Sequence, residues 1–304
     1  MLEGAGFEVK VSEKDGVLSK EELIEALREY QPEALLCLLT DTIDAEVFDA
    51  APIKICATYS VGFNHIDLEA AKQRGIVVTH TPGVLTNAVV EFTIGAIFSL
   101  AKRIVEADKF TRAGKYRGWE PELLLGMELK GKVLGVLGAG RIGSSVAKAL
   151  MSLGMKVLYY DIAPNEELDK LGAVFEDKET ILKRADVVTV HVPLLDSTRH
   201  FLSDKEFEMM KDSALVVNTS RGPVIDEKAL VRALQSGQIA GAFLDVFENE
   251  PNFEEELKDM DNVILTPHIA SATQETRDKM SEMAAQSIID FSQGKKPEHV
   301  VEAK

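Results

Sequence analysis

KVLGVLGAGRIGSSVAKALMSLGMKVLYYD, residues 132–161, carries a strand, a turn, a helix and a second strand in one run. VLGVL offers no polar side chain, as a parallel strand covered on both faces requires. From Ile142 the period changes, and Ile142, Val146, Leu150 and Leu153 share one face of a helix. Gly154 ends that helix, and KVLYY opens the next strand. Gly138, Gly140 and Gly143 form G-x-G-x-x-G at the strand-to-helix turn. In such a turn the first glycine makes the tight bend, the second lets a pyrophosphate approach the backbone, and the third lets helix pack on strand. Backbone N–H groups and the positive helix end then hold the phosphate charge. Asp161 closes the second strand, where a carboxylate accepts hydrogen bonds from the adenosine ribose hydroxyls and repels a 2′-phosphate. The expected cofactor is therefore NAD (NADH), with NADP disfavoured by Asp161.

The same alternation runs outward from this unit. Strands are expected in DVVTVHV, ALVVNTS, AGAFLDV and NVILT, with helices in KETILKRA and DEKALVRALQS. The first 80 residues repeat it separately, with a helix in KEELIEALREY and strands in ALLCLL, KICATYS and IVVTH. Two long helical runs, 87–114 and 272–294, flank the central unit, so the chain leaves a first domain, builds a second and returns. The expected class is α/β, with two doubly wound domains. A dinucleotide-binding domain over 85–274 is inserted into a smaller substrate domain made of 1–84 and 275–304.

Composition narrows the partners. With 304 residues and 45% hydrophobic content the chain can fill two cores. Fifty Asp and Glu against 34 Lys and Arg give a net charge of −16, which argues against nucleic acid and anionic membranes as partners. No apolar run reaches the roughly 20 residues that cross a bilayer, and the N-terminus lacks a signal-peptide pattern, so a cytoplasmic protein is expected. Cys37 and Cys56 lie in apolar strand-like runs without metal-ligand spacing; they read as small buried hydrophobes, and no metal is expected.

Three polar clusters follow strands of the second domain: NTSRGPVID with Arg221, DVFENEP with Glu250 and LTPHIASAT with His268. The carboxyl edge of an open α/β sheet is where ligands bind, so these distant residues can converge. Reduction of a ketone beside a carboxylate needs a cation for the carboxylate, an acid for the nascent alkoxide and a group that orients the acid. Arg221 supplies a planar fork for the carboxylate. His268 supplies the proton, and a neighbouring Glu250 carboxylate would stabilise its charged form.

With these motifs in order, the chain resembles the D-isomer-specific 2-hydroxyacid dehydrogenases over nearly its whole length. TPGVLTNAVVEFT, LGAGRIG, NTSRGPVID, LDVFENEP and LTPHIASAT are similar to that family's signatures. The resemblance implies a Rossmann-type NAD-binding domain, a flavodoxin-like substrate domain, a homodimer, and a site in which His268 is acid/base, Glu250 its partner and Arg221 the substrate anchor. It further implies that the backbone N–H groups of Val61 and Gly62 meet the substrate carboxylate, that Leu39 lines the pocket, and that Arg141, Ile142, Asp161, Pro193, Thr219 and Asp245 contact the cofactor. His65 and His191, close to these loops, read as structural or peripheral. Trp119 matches a position that can reach a partner subunit, or is an ordinary core or interface residue.

Within the family, SVGFNHID and PGVLTNAV look most like the glyoxylate and hydroxypyruvate reductase branch. The implied substrate is a small 2-oxo or 2-hydroxy carboxylate. A phosphoglycerate dehydrogenase would want extra positive charge near the substrate loops, and VGFNHID and LLTDTID carry none. A third reading is a corepressor-like NAD-binding interaction protein, which shares the scaffold. The family's substrate domain usually opens with a strand before the helix that MLEGAGFEVKV would end, so the expectation is a native chain that starts further upstream.

Overall fold

The computed structural model describes residues 1–301, and the chain divides into two units: Met1–Leu85 together with the segment from Thr273 onward, and Thr86–Ala272. Residues 302–304, the end of the expected substrate domain, lie outside the described residues.

In the first unit β1 (Ala34–Cys37), β2 (Ile55–Thr58) and β3 (Val77–Thr79) pair in parallel in that order. A short strand, Val300–Val301, adds antiparallel to β3. β2 is buried at all four positions and alternates between two cores. Cys56 packs with Leu23, Leu27 and Phe48, while Ile55 and Ala57 pack with Ala284 and Ile288 of the helix Gln274–Ser292. The helix Lys20–Tyr30, which supplies Leu23 and Leu27, starts at a capping box in which Ser19 and Glu22 satisfy each other's backbone N–H. Both cysteines are buried and free, their Sγ atoms 3.6 Å apart. Among the described residues β1 is an edge strand paired with β2, and Leu36 within it and Leu38 just after it are exposed. Val300–Val301 was not anticipated, because two residues are too short for a period to show.

The second unit is a seven-stranded parallel sheet of β4 (Val133–Leu137), β5 (Lys156–Tyr160), β6 (Val174–Phe175), β7 (Val187–Val190), β8 (Leu215–Asn218), β9 (Gly241–Leu244) and β10 (Val263–Leu265), in the order β10-β9-β8-β7-β4-β5-β6. The chain winds one way from β4 through β6 and the other way from β7 through β10, so strand order reverses beside β4. That reversal is the expected ligand position, outside the strands' carboxyl ends. One face packs on Ile181, Leu182, Phe207 and Leu230, the other on Ile97, Val146 and Leu150. β6 was not foreseen; Val174 and Phe175 are both exposed and give no buried-strand pattern.

The run expected as one helix over 87–114 is two, Thr86–Ala101 and Ile104–Arg112, broken at Arg103 with φ +55°. The returning chain explains the break. Met127 N–H donates to the Ala101 carbonyl at 2.7 Å, taking an acceptor that a longer helix would use. A Cβ on Gly126 would lie 2.5 Å from the same oxygen, so only glycine lets the chain pass. No helix among the described residues is long and apolar enough to cross a membrane.

Candidate active site

The glycine turn has the geometry its three positions require. Gly138 has φ +97°, and a Cβ there would lie 2.7 Å from the His191 carbonyl carbon. A Cβ on Gly143 would lie 2.0 Å from the Gly138 carbonyl oxygen. Gly140 differs: a Cβ on it would meet nothing within 4 Å, so its side of the turn is open to an approaching group. Gly140 is also the N-cap of the helix Arg141–Ser152, and no side chain caps that end. Free helical N–H groups over an open glycine fit a dinucleotide's pyrophosphate. The Asp161 carboxylate accepts from Ala139 N–H and Ile162 N–H, both at 2.7 Å. It thus ties the end of β5 to the turn while keeping lone pairs for further donors. Asn165, which sequence reading missed, donates to the Ala139 carbonyl at 3.0 Å and holds the turn from a second side.

Across the sheet, Arg221, Glu250 and His268 follow β8, β9 and β10 respectively. His268 Nδ1 lies 2.9 Å from Glu250 Oε2. An ionised carboxylate only accepts, so Nδ1 carries the proton and Nε2 is the ring nitrogen left for chemistry. The other oxygen of Glu250 accepts Phe247 N–H at 3.0 Å. Burial alone would raise the Glu250 carboxyl. The hydrogen bond and charge of His268, the Phe247 N–H and the Arg221 charge outweigh it and hold the carboxyl below its usual range. Arg221 is pushed the other way by burial, which lowers its guanidinium below the usual value while Glu250 opposes the shift. The guanidinium stays charged, and one of its N–H groups donates to the Ser220 carbonyl at 2.7 Å.

His268 sits at φ +53°, a left-handed backbone uncommon for a residue with a Cβ. Asp245 holds it there. Its carboxylate, wholly buried, accepts from Thr266 Oγ1 at 2.7 Å, Ile269 N–H at 2.9 Å and Ala270 N–H at 2.8 Å. Its backbone carbonyl accepts His268 N–H at 2.9 Å. Burial pushes the Asp245 carboxyl up, and these donors and the charge of His268 resist that rise. Asn218, also buried and also missed from sequence, fixes the turn that presents Arg221: it accepts from Ser220 N–H and donates to the Arg221 carbonyl, both at 3.0 Å.

Thr219 is nearly buried, its hydroxyl 2.9 Å from that of Thr93. Arg141 and Pro193 are exposed and Ile142 half-buried, all at loops or helix starts beyond the carboxyl ends of β4 and β7. In the first unit Leu39 is half-buried after β1. The loop after β2 is braced at three consecutive carbonyls: Ser60 accepts Thr81 N–H, Val61 is 2.9 Å from His80 Nδ1, and Gly62 accepts the Ser60 hydroxyl at 2.6 Å. His65 bonds Thr58 Oγ1 at 3.1 Å. The His191 ring is enclosed although the residue keeps some surface; it bonds Thr189 Oγ1 at 2.9 Å, and burial pushes its pKa down to about 4. Trp119 is 84% exposed, which removes the core reading for it. A cavity of about 530 Å³ lies at the amino ends of β8 to β10, lined by Leu215, Ala240 and Asn262 among others, away from all these groups.

Comparison with known proteins places this arrangement. Residues 94–270 match the model of the D-isomer specific 2-hydroxyacid dehydrogenase NAD binding domain. A glyoxylate reductase of Thermofilum pendens is 51% identical over 293 residues, 95% of this chain and 86% of that protein. The TT0316 protein of Thermus thermophilus superposes with a TM-score of 0.93 at 41% identity, covering 99% of this chain and 94% of that one. The D-lactate dehydrogenase of Aquifex aeolicus, solved with NAD and lactic acid, gives 0.84 at 33% identity, covering 92% and 89%. The chain belongs to the D-isomer-specific 2-hydroxyacid dehydrogenase family. It is an oxidoreductase of that class, working with a nicotinamide cofactor.

Proposed function

We propose that this chain reduces a small 2-oxo acid, glyoxylate or hydroxypyruvate, to the D-2-hydroxy acid with NADH. The observation that carries the reading is the His268–Glu250 pair at 2.9 Å, on the same sheet edge as Arg221. When bound, the cofactor supplies the hydride that reaches C2 of the substrate. His268 gives a proton from Nε2 to the oxygen that becomes the hydroxyl, and Glu250 holds the ring and stabilises its charged form until then. Arg221 anchors the substrate carboxylate and polarises the ketone. In the first unit we assign the backbone N–H groups of Val61 and Gly62, and Leu39, to substrate binding. The braced carbonyls of Ser60, Val61 and Gly62 support that assignment. In oxidation the neutral imidazole takes the proton back.

Toward the cofactor we assign Gly138, Gly140, Arg141, Ile142 and Gly143 to the pyrophosphate, Asp161 to the adenosine ribose, and Pro193, Thr219 and Asp245 to the nicotinamide side. The Asp161 carboxylate supports NADH over NADPH, because a 2′-phosphate beside it would place like charges together. The same reading takes the protein as a cytoplasmic homodimer. The test is NADH consumption with glyoxylate, hydroxypyruvate, pyruvate and 3-phosphohydroxypyruvate. Turnover on one of the first two above the others supports the assignment; turnover on the phosphorylated acid alone contradicts it.

A further inference from the structure

Glu227 is a buried carboxylate to which the mechanism above gives no role. It is the first residue of the helix Glu227–Gln235, capped by Asp226, where an acidic side chain ordinarily faces solvent and the helix dipole. Here it turns inward. Its two oxygens accept from separate points of the loop after β9: Oε2 from Glu248 N–H at 2.9 Å and Oε1 from Glu254 N–H at 2.5 Å. The loop answers, for Glu248 Oε2 accepts Glu227 N–H at 3.2 Å. These bonds close on both sides of Glu250, which lies between residues 248 and 254. Close packing fixes the same loop from beneath: a Cβ on Gly222 would lie 1.7 Å from the Phe247 carbonyl oxygen. We infer that Glu227 is a positioning residue for the reduction, clasping the 248–254 loop so that Glu250 stays aimed at His268.

This inference rests on the reading of Glu250 and His268 as the acid/base pair. Burial and the charges of Glu248 and Glu254 push the Glu227 carboxyl up, while the two backbone donors pull it down. The clasp thus depends on donors that only the closed loop presents. Glu248, Glu254 and Asp226 face Glu227 and its cap, and His200 bonds the other oxygen of Glu248, Oε1, at 2.6 Å. Arg221 and Asp245 act on Glu250 and His268 respectively. Removing the clasp leaves all of these in place and frees the backbone that carries Glu250.

The test compares the pH dependence of kcat/KM for NADH-driven reduction in the wild type, E227Q, E254P and E250Q, with NADH binding followed by fluorescence. In E227Q the amide group faces one of the two N–H donors, so one arm of the clasp is lost. E254P deletes the Glu254 donor at a residue whose φ of −64° already suits proline, and it leaves Glu227 untouched. The expected result is a fall in kcat of about tenfold in each, as misplacement of a reacting group produces, with NADH affinity within about twofold and the alkaline limb moved to lower pH, as in E250Q. If E227Q does not fold, E254P decides alone. A shifted profile in E250Q with wild-type profiles in E227Q and E254P overturns the clasp and spares the acid/base pair; an unshifted E250Q profile overturns the pair itself.

Discussion

Glu250 uses both of its carboxylate oxygens, one on the Nδ1–H of His268 at 2.9 Å and one on the backbone N–H of Phe247 at 3.0 Å. The second bond leaves the carboxylate little freedom to rotate, so the imidazole it holds is fixed as well. Replacing Glu250 by Gln keeps the shape and removes the charge. Reduction by E250Q is expected to slow by about ten- to a hundredfold, the worth of a charge-assisted hydrogen bond. The pH profile separates charge from shape. Reduction needs a proton from the imidazole, and E250Q lacks the charge that favours holding it there. On the acid side the Glu250 carboxyl sits below its usual range. Its stabilising contribution is therefore complete above the ordinary carboxylate range and is lost only as pH falls through the lowered value. Denaturation followed against pH should show that acid-side loss in the wild type and less of it in E250Q.

Asp161 does two things at once, bracing the turn through Ala139 N–H and offering its remaining lone pairs outward. D161A should weaken NADH binding by about tenfold, as the loss of one or two hydrogen bonds implies, and narrow the gap between NADH and NADPH. Titration of both cofactors by fluorescence checks this. An unchanged preference would remove Asp161 from the ribose site.

Gly222 follows Arg221 directly and lies under the loop that carries Glu250. A methyl group at 222 cannot fit without moving the Phe247–Glu248 backbone. G222A should cost about 2 kcal/mol of stability through overpacking and should lower turnover further than the lost stability explains. Thermal unfolding and kcat measured on the same preparation test the two effects. A fully active, fully stable G222A would contradict the described loop packing.

How far the sequence could be read follows from which forces leave a residue-type mark. β4, the glycine turn and the following helix were legible because a buried parallel strand must be apolar throughout and the turn must be glycine where φ is positive. Arg221, Glu250 and His268 were legible as charged groups at strand ends. What stayed hidden is held by backbone hydrogen bonds between distant segments. Nothing in the order of residues marks Glu227 as turned inward, Asp245 as the brace of the His268 backbone, or Asn165 as a support for the turn. Each reads locally as a cap, a loop acid or a turn residue. The break at Arg103 was hidden for the same cause, since it depends on a chain segment that returns at Gly126 and Met127.

Replacing His268 by Ala and measuring NADH binding and 2-oxo acid reduction side by side tests whether His268 is the proton donor. H268A is expected to keep NADH affinity close to that of the wild type and to lose reduction of glyoxylate or hydroxypyruvate by about a hundred- to ten-thousandfold, the contribution of a general acid. Reduction by H268A at a rate near that of the wild type would show that the proton comes from another group, and the acid/base assignment would fall.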